Sequence, residues 1–432
     1  MLYKIKSLSN FDMIIGASLA FIVKIIAAVG AFLLNILIAQ LLGAEQAGYF
    51  FLAQAVIFII AAIARQGFDN ALVKFIAGYR AVDNQVFISG IYQYALAKIV
   101  PVLIVFSVAI WLCSDVLSVW FFSKPLLSPI LSVSALVILP LSISQLHGFC
   151  LQGQKQVVLA STFQSAAMAV LSLIIIYALQ PNSASEAMLG YAGAGFIVFL
   201  FSIFVWNYGR KPKLFLLPIE EKKHITDSVK PLFVILLLAQ ITQWSGQLML
   251  GAWNSTTDVA IFATAQRTAM LTSFILIAVN SIAAPKFAEA FKKNDIHSVK
   301  NIAKFSGQLM TIVSLPVIII MLLFSEKLMG LFGEDFIQGA NILRVLALGQ
   351  FVNVITGSVG YLLQMTGHEN ILRNNVIISS LIMLVGGFIV IPVFGVYGAA
   401  LISAFSVATQ NLLCVYQVKK MLGFNTLNIF RS

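Results

Sequence analysis

Four basic residues, Lys24, Lys98, Arg267 and Arg344, fall inside long apolar stretches of the chain. If those stretches cross a membrane, each cation needs water, an anion or a partner, because a charge at the bilayer centre costs about 3 kcal/mol or more. The Asp and Glu residues lie in loops or at helix ends, so no carboxylate within a span is available. Lys24, near the middle of its stretch, is therefore predicted to face an aqueous cavity. Snorkelling toward the headgroups is the alternative for Lys24, and for the other three cations both interpretations stay open.

Amides and one tryptophan form polar stripes on two of these stretches. Asn35 follows Lys24 by eleven residues, close to three helical turns, so the two share one face. A second stripe recurs at i, i+3, i+4 and i+7: Gln240, Gln243, Trp244 and Gln247. Amides hydrogen-bond hydroxyls and a Trp ring stacks on the apolar face of a sugar, so the stripe suits a carbohydrate. The alternative is that the amides join helices, at about 0.6 kcal/mol each.

The sequence lacks the motifs of common catalytic sites. It contains no Walker glycine loop, dinucleotide fingerprint, HExxH or CxxC. The histidines and cysteines are scattered rather than clustered: His147, His224, His297 and His368, and Cys113, Cys150 and Cys414. We therefore expect no catalysis, no cofactor and no metal or disulfide framework.

The elements that must position these residues are membrane helices. The chain is 60% hydrophobic and only 10% charged, with a mean hydropathy of +0.97, whereas soluble domains carry about 25% charged residues. Apolar stretches of about 20 residues, long enough to cross a bilayer, occur twelve times: 13–41, 49–65, 89–112, 127–148, 156–179, 187–207, 231–252, 260–284, 305–324, 338–364, 374–392 and 397–417. This pattern predicts an all-α polytopic membrane protein of about twelve transmembrane helices.

The basic residues behind the net charge of +11 fall mainly on one side of the predicted membrane. With the N-terminus in the cytoplasm, 21 of the 27 Lys and Arg residues fall on cytoplasmic segments, and only Lys124 and Lys327 face the other side. This asymmetry follows the positive-inside rule with both termini cytoplasmic. The expected role of the basic residues is therefore to orient the protein in the membrane. Binding to anionic lipids is a second expected role, and nucleic acid is not an expected partner.

The two halves of the chain repeat each other. Placing residue n against residue n+212 aligns Phe50, Ala53 and Gln54 with Phe262, Ala265 and Gln266, and a slip to n+205 pairs Gly190 with Gly395. An even number of spans per copy gives parallel repeats, so two six-helix bundles are predicted. The predicted division is 1–207, a cytoplasmic linker at 208–230, and 231–432.

A proline lies within the third span of each copy. Pro101 and Pro316 each remove a backbone hydrogen bond and permit a bend. The pair is predicted to form hinges, and a static kink is the alternative.

The segment 41–50, LLGAEQAGYF, followed by 64–77, ARQGFDNALVKFIA, resembles the first helical hairpin of the Wzx-type polysaccharide transporters, or O-antigen flippases. These belong to the multidrug, oligosaccharidyl-lipid and polysaccharide exporter superfamily. The resemblance implies a MATE-like, V-shaped two-bundle fold in the bacterial inner membrane. It also implies transport of an undecaprenyl-pyrophosphate-linked oligosaccharide to the periplasmic leaflet, with the pyrophosphate drawn to Lys24 and the other span cations. Other polysaccharide-assembly proteins are further expected partners.

Three rival functions remain. A cation-coupled multidrug exporter shares the superfamily but is expected to carry a carboxylate within a bundle. An enzyme of envelope assembly, such as a glycan polymerase or ligase, is expected to have a large periplasmic loop. A lipid II flippase would more often have additional spans.

Overall fold

The structure, a computed structural model, describes residues 2–208 and 215–427, with side chains from residue 18 onward except at 231 and 285. The regular elements of this described part are all helical. The main helices are α1 Leu2–Ala64, α2 Phe68–Ala81, α3 Gln85–Leu112, α4 Leu127–Gly153, α5 Val157–Leu179, α6 Ala184–Asn207, α7 Ile219–Trp253, α8 Thr256–Ala269, α9 Leu271–Lys292, α10 Ile296–Leu323, α11 Ala340–Ile355, α12 Val359–Met365 and α13 Glu369–Leu422. The predicted all-α fold is confirmed.

Ten helical stretches of the described chain are long and apolar enough to cross a membrane. Two of them, Ser18–Ala64 and Glu369–Leu422, are long enough for two crossings each. Each is interrupted by a glycine with non-helical angles: Gly43 has φ 68 and ψ 173, and Gly395 has φ 55 and ψ −132. Glycine adopts positive φ without a steric penalty, so it is suited to these breaks. Dividing both stretches at their glycines gives twelve crossings, the number predicted.

The internal repeat is visible in backbone geometry. Helices α3 and α10 both contain 28 residues, and the turns before them match. Asp83 has φ 52 and Asn294 has φ 56. The next residues, Asn84 and Asp295, are N-caps whose side chains accept the backbone N–H three residues later. The same local structure is thus built once in each half of the chain.

One alignment made from sequence was wrong. Gly190 lies inside α6, whereas Gly395 breaks α13 into two crossings. The corresponding break in the first half is the turn between α5 and α6, near residues 180–183. Small residues recur often in membrane helices, so a short Gly and Ala match was a poor guide to register.

The helices form two compact units. The first comprises Met1–Leu42 and Ala53–Leu237, and the second comprises Gly43–Leu52 and Leu238–Ser432. In the first unit α4 packs mainly against α6 and α3, and in the second α11 packs mainly against α13. The division differs from the predicted one, because ten residues of α1 belong to the second unit.

Close packing explains that assignment. A Cβ atom at Gly251 would lie 2.4 Å from Leu52 Cδ1, so α7 is in close contact with this part of α1. Gln247 also donates a hydrogen bond to the Phe51 carbonyl oxygen at 2.6 Å.

The predicted linker, 208–230, is partly helix. Residues 209–214, with the basic residues there, lie outside the described residues, as do Arg431 and the side chains of Lys4 and Lys6. From Ile219 onward the chain is the start of α7, and its residues up to Leu237 belong to the first unit. The Tyr94 and Thr226 hydroxyls are 2.9 Å apart, and the ring of His224 meets that of Phe75 edge-on. These contacts make the segment part of the first unit rather than a free connection.

Candidate functional site

Lys24 on α1 and Lys98 on α3 both have exposed side chains in the first unit. The Lys98 ammonium lies 5.9 Å from the centroid of the Tyr94 ring, and the Lys98 carbonyl oxygen accepts a hydrogen bond from Gln66 at 3.4 Å. Neither lysine forms an ion pair with a residue of the described chain. Two accessible cations therefore remain available to an anion on helices of the first unit.

Asn35, predicted on the same face as Lys24, is buried with 8% exposure. Its amide nitrogen donates to the carbonyl oxygen of Ala31, four residues earlier, at 2.6 Å. The helical spacing of Lys24 and Asn35 therefore does not give them the same accessibility.

The α7 stripe divides into accessible and buried members of the second unit. Gln243 is exposed, and the Trp244 indole N–H donates to Gln240 Oε1 at 2.9 Å, which fixes the indole orientation. Gln247 is fully buried, and its amide donates to Phe51, as described above. Gln266 on α8 donates a hydrogen bond at 3.3 Å to the backbone carbonyl oxygen of Gln243, not to its side chain. Gln247 thus fits the helix-packing alternative, whereas the other members lie where a ligand can reach them.

Arg267 on α8 is half-buried against an aromatic ring. Its guanidinium carbon lies 4.2 Å from the centroid of Phe51. A cation over an aromatic face is stabilised by about 0.5–2 kcal/mol, depending on its desolvation. The contact orients Arg267 on the segment of α1 that belongs to the second unit.

Arg344 pairs with a carboxylate that lies outside the predicted spans. Its Nη2 lies 3.5 Å from Glu326 Oε1, its Nε donates to the Leu322 carbonyl oxygen at 3.2 Å, and its Nη1 donates to Asn341 Oδ1 at 2.6 Å. The side chain reaches back to the short helix Ser325–Gly330, so the arrangement fits the snorkelling alternative. No local pattern indicates this pair, because Glu326 lies on a separate helix well before Arg344 in the chain.

The prolines predicted as hinges lie inside continuous helices. Pro101 in α3 and Pro316 in α10 are both exposed. Pro316 lies one helical turn further from the start of its helix than Pro101 does, so the two are out of register in the repeat. A hinge role stays a prediction.

Two buried polar groups of the first unit were missed from sequence. Arg65 Nε donates to both oxygens of Asp69, at 2.9 and 3.0 Å, in the turn between α1 and α2. His147 on α4 is fully buried and hydrogen-bonds to hydroxyls on two other helices. The i, i+4 spacing of Arg65 and Asp69 was a usable signal. For His147 the partners lie far away in the chain on either side, and no local pattern marks them.

The fold is similar to those of two solved membrane proteins. A multidrug resistance MATE family transporter of the MOP superfamily, in an inward-facing conformation, superposes with a TM-score of 0.77 at 16% identity, covering 94% of this chain and 96% of that one. The lipid II flippase MurJ, in an inward closed conformation, gives a TM-score of 0.75 at 15% identity, covering 93% and 87%. At such identities the likeness establishes the fold, which is MATE-like as predicted.

The chain belongs to the polysaccharide biosynthesis protein family, whose model matches residues 14–291. A second family model, MatE, matches residues 231–389. The chain is 24% identical over 181 residues to the probable low-salt glycan biosynthesis flippase Agl15 of Haloferax volcanii, covering 42% of this chain and 38% of that protein. It thus matches about two fifths of that relative's length. Family and fold together describe a polysaccharide biosynthesis protein with a MATE-like fold.

Proposed function

We propose that this protein is a flippase for an undecaprenyl-pyrophosphate-linked oligosaccharide, an O-antigen or a capsule or exopolysaccharide repeat unit. It moves this substrate from the cytoplasmic to the periplasmic leaflet of the bacterial inner membrane by alternating access. The observation that carries the proposal is the polysaccharide biosynthesis family match over residues 14–291. Agl15, a probable glycan biosynthesis flippase, supports a glycan rather than a drug as cargo.

Lys24 and Lys98 are the proposed ligands of the pyrophosphate. Both are exposed on helices of apolar composition, and neither has a carboxylate partner among the described residues. A cation at this depth is stabilised by water or by an anion. A pyrophosphate supplies the anion during transport and leaves when the substrate is released.

The glycan is proposed to contact the accessible part of the α7 stripe and Arg267. Gln240 orients the Trp244 ring, which can stack on the apolar face of a sugar, while the exposed Gln243 amide can bind hydroxyls. Asn35 and Gln247 are buried, so they would support these surfaces through helix packing and would not contact the glycan. Arg344, already paired with Glu326, would contribute only a partly neutralised charge.

The proposed orientation places both termini in the cytoplasm. It rests on the Lys and Arg asymmetry of the sequence. Anionic membrane lipids and other polysaccharide-assembly proteins are the proposed partners. Translocation needs no covalent step, so the protein is proposed to act as a transporter and not as an enzyme.

A cation-coupled multidrug exporter is the second candidate, favoured by the MatE match over residues 231–389. Such an exporter is expected to expose a carboxylate within a bundle. Asp69 is the buried carboxylate of the first unit in the described chain, and Arg65 already binds both of its oxygens. This pairing argues against Asp69 as a free cation site.

Deletion of the gene that encodes this protein in its native cell distinguishes a flippase from a multidrug exporter. We expect loss of surface polysaccharide and accumulation of lipid-linked repeat units in the cytoplasmic leaflet, with unchanged drug sensitivity. Normal surface polysaccharide together with increased sensitivity to cationic drugs would instead establish the exporter. Re-expression of the intact chain is the control, and it must restore the lost phenotype.

A further inference from the structure

Helices α9 and α10 of the second unit have an open groove between them. It encloses a cavity of about 490 Å³, a volume typical of small-molecule sites. Its walls consist mainly of apolar side chains, among them the exposed Ile282 and Phe305. Lys286 and Asn301 are the lining residues nearest to the turn that joins the two helices. The groove is therefore apolar along its length and has a cation at one end.

Helices α2 and α3 of the first unit are the repeat counterparts of α9 and α10. Lys74 aligns with Lys286 at an offset of 212 residues, and both side chains are exposed. The N-caps Asn84 and Asp295 align α3 with α10 at an offset of 211. The residues that line the α9–α10 groove thus have defined counterparts on α2, on α3 and in the turn before α2.

In the first unit the counterpart of this groove is covered by the segment 215–233 of the same chain. A Cβ atom at Gly90 on α3 would lie 2.7 Å from Phe215 Cδ1. A Cβ atom at Gly67, just before α2, would lie 2.6 Å from the backbone nitrogen of Phe233. Because backbone atoms approach Gly67 this closely, the position requires a residue without a side chain.

Matched residues of the two grooves differ in exposure. Gly90 is buried, whereas its counterpart Asn301 is exposed. Tyr94 is half-buried, and its hydroxyl lies 2.9 Å from that of Thr226 on the covering segment, whereas its counterpart Phe305 is 67% exposed. Within residues 238–427, the second unit therefore leaves open a surface that the first unit covers.

The residue changes between the two grooves favour a hydrocarbon chain over a peptide as the occupant of the open one. Gly67, which the backbone of the covering segment approaches, is replaced by Val279. Tyr94, which bonds to the covering segment through its hydroxyl, is replaced by Phe305. A peptide in the second groove would lose the close approach and the hydrogen bond. An acyl chain needs only apolar contact.

We propose that the α9–α10 groove binds an anionic phospholipid of the membrane. One acyl chain lies along Ile282 and Phe305, on the surface that corresponds to the one covered by residues 215–233 in the first unit. The phosphate lies at Lys286, beside the amide of Asn301. The lipid thereby covers in the second unit what a chain segment covers in the first.

The charge of Lys286 selects the headgroup. This lysine forms no ion pair with a residue of the described chain. Basic pockets between membrane helices on the cytoplasmic side suit acidic lipid headgroups. Lys286 lies on that side in the proposed orientation, and the proposal rests on the proposed function in this respect alone, since it is independent of the transported cargo.

A tryptophan placed in the groove tests for selective lipid binding. Phe305→Trp would be reconstituted in vesicles of phosphatidylglycerol and phosphatidylcholine, with bromine on the acyl chains of one lipid or of the other. Bromine quenches tryptophan fluorescence on contact, and the signal of the five native tryptophans is subtracted with wild type. We expect the site to favour phosphatidylglycerol about fivefold, the gain for one lysine at a membrane surface. Equal quenching by the two lipids would overturn the proposal.

Two lysine variants in the Phe305→Trp background test the position of the headgroup. Lys286→Ala should abolish the preference for phosphatidylglycerol. Lys74→Ala is the matched control, because it removes the corresponding exposed charge from the groove that is already covered, and it should leave the preference unchanged. Loss of the preference in both variants, or in neither, would contradict a phosphate site at Lys286.

Mass spectrometry of the intact protein in detergent provides a measurement that does not depend on Phe305→Trp. After incubation with equal amounts of the two lipids, wild type should retain phosphatidylglycerol preferentially and Lys286→Ala should retain both alike. Equal retention by wild type would overturn the proposal. Displacement of phosphatidylglycerol by an equal concentration of undecaprenyl phosphate would assign the groove to a polyprenyl tail and would also overturn it. These measurements contain no oligosaccharide, so failure of the proposed cargo would not alter their outcome.

Discussion

Gln243 and Gln247 illustrate how two identical side chains, one turn apart on α7, acquire different roles. Their spacing put both on one helix face, and this was predictable from sequence. What covers Gln247 was not predictable, because residues 43–52 of α1 pack over it from the opposite half of the chain. The partner of Arg344 was also missed, because Glu326 lies on a separate helix of the same unit. At the residue scale the sequence located the polar positions, and only the tertiary structure separated accessible from buried ones.

Gln243→Leu and Gln247→Leu should therefore have different effects. Gln243→Leu removes an exposed amide and should slow glycan export about fivefold, the equivalent of one hydrogen bond of about 1 kcal/mol, with unchanged stability. Gln247→Leu loses its bond to Phe51 but also removes Oε1, which is buried without a partner among the described residues. Its free energy of unfolding should change by no more than about 1 kcal/mol, with export near normal.

Surface glycan and thermal unfolding in detergent measure the two effects. Gln247→Glu is the matched control, since a buried charge at this position should sharply reduce folded protein. If Gln247→Leu impaired export as much as Gln243→Leu while stability stayed intact, the stripe would act as a single ligand surface.

At the scale of elements, the repeat predicted the matching helices more reliably than it predicted their boundaries. The paired caps of α3 and α10 fall at corresponding positions of the two copies, within one residue of the sequence alignment. The segment 208–230, predicted as a cytoplasmic linker, includes the start of α7. Ile225 and Val229 are buried there, so the helical part of the segment is an amphipathic start of α7. A charged helix face and a solvated linker have similar compositions.

The two caps should respond differently to acid. Asn84→Ala should destabilise the protein by about 1 kcal/mol at every pH, because it removes a neutral cap. Hydrogen bonds from the Ser298 hydroxyl and N–H, at 2.6 and 2.9 Å, hold the pKa of Asp295 below its ordinary value. Its folded-state pKa is lowered, so its stabilising effect is full above the unfolded-state pKa and disappears as the pH falls through the folded-state pKa.

Thermal unfolding between about pH 7 and pH 3 measures this difference, since carboxylates titrate at the lower end of that range. The advantage of wild type over Asp295→Asn should shrink toward acid, while its advantage over Asn84→Ala stays constant. A pH-independent Asp295→Asn difference would show that the carboxylate charge does not contribute at this cap.

At the scale of the whole molecule, composition and span count predicted the architecture because a bilayer admits few folds for such a chain. Twelve crossings follow from that constraint, whereas the MATE-like fold was predicted from the family resemblance. Cargo does not, since drug exporters and lipid flippases share this fold. The distinction depends on a few side chains, of which Lys24, exposed on an apolar helix, is the central proposed ligand of the pyrophosphate.

Translocation by purified protein measures the role of Lys24 without interference from other cellular components. Proteoliposomes containing an undecaprenyl-pyrophosphate-linked oligosaccharide would be assayed by the accessibility of the glycan to an external glycosidase, for wild type, Lys24→Ala and Lys24→Arg. Wild type should move the glycolipid between leaflets. Lys24→Ala should be slower by about tenfold or more, because a hydrogen bond to a charged group contributes about 1.5–3 kcal/mol, and Lys24→Arg should be milder. Equal rates for folded wild type and Lys24→Ala, or no movement of the glycolipid by wild type, would refute a flippase that binds its pyrophosphate through Lys24.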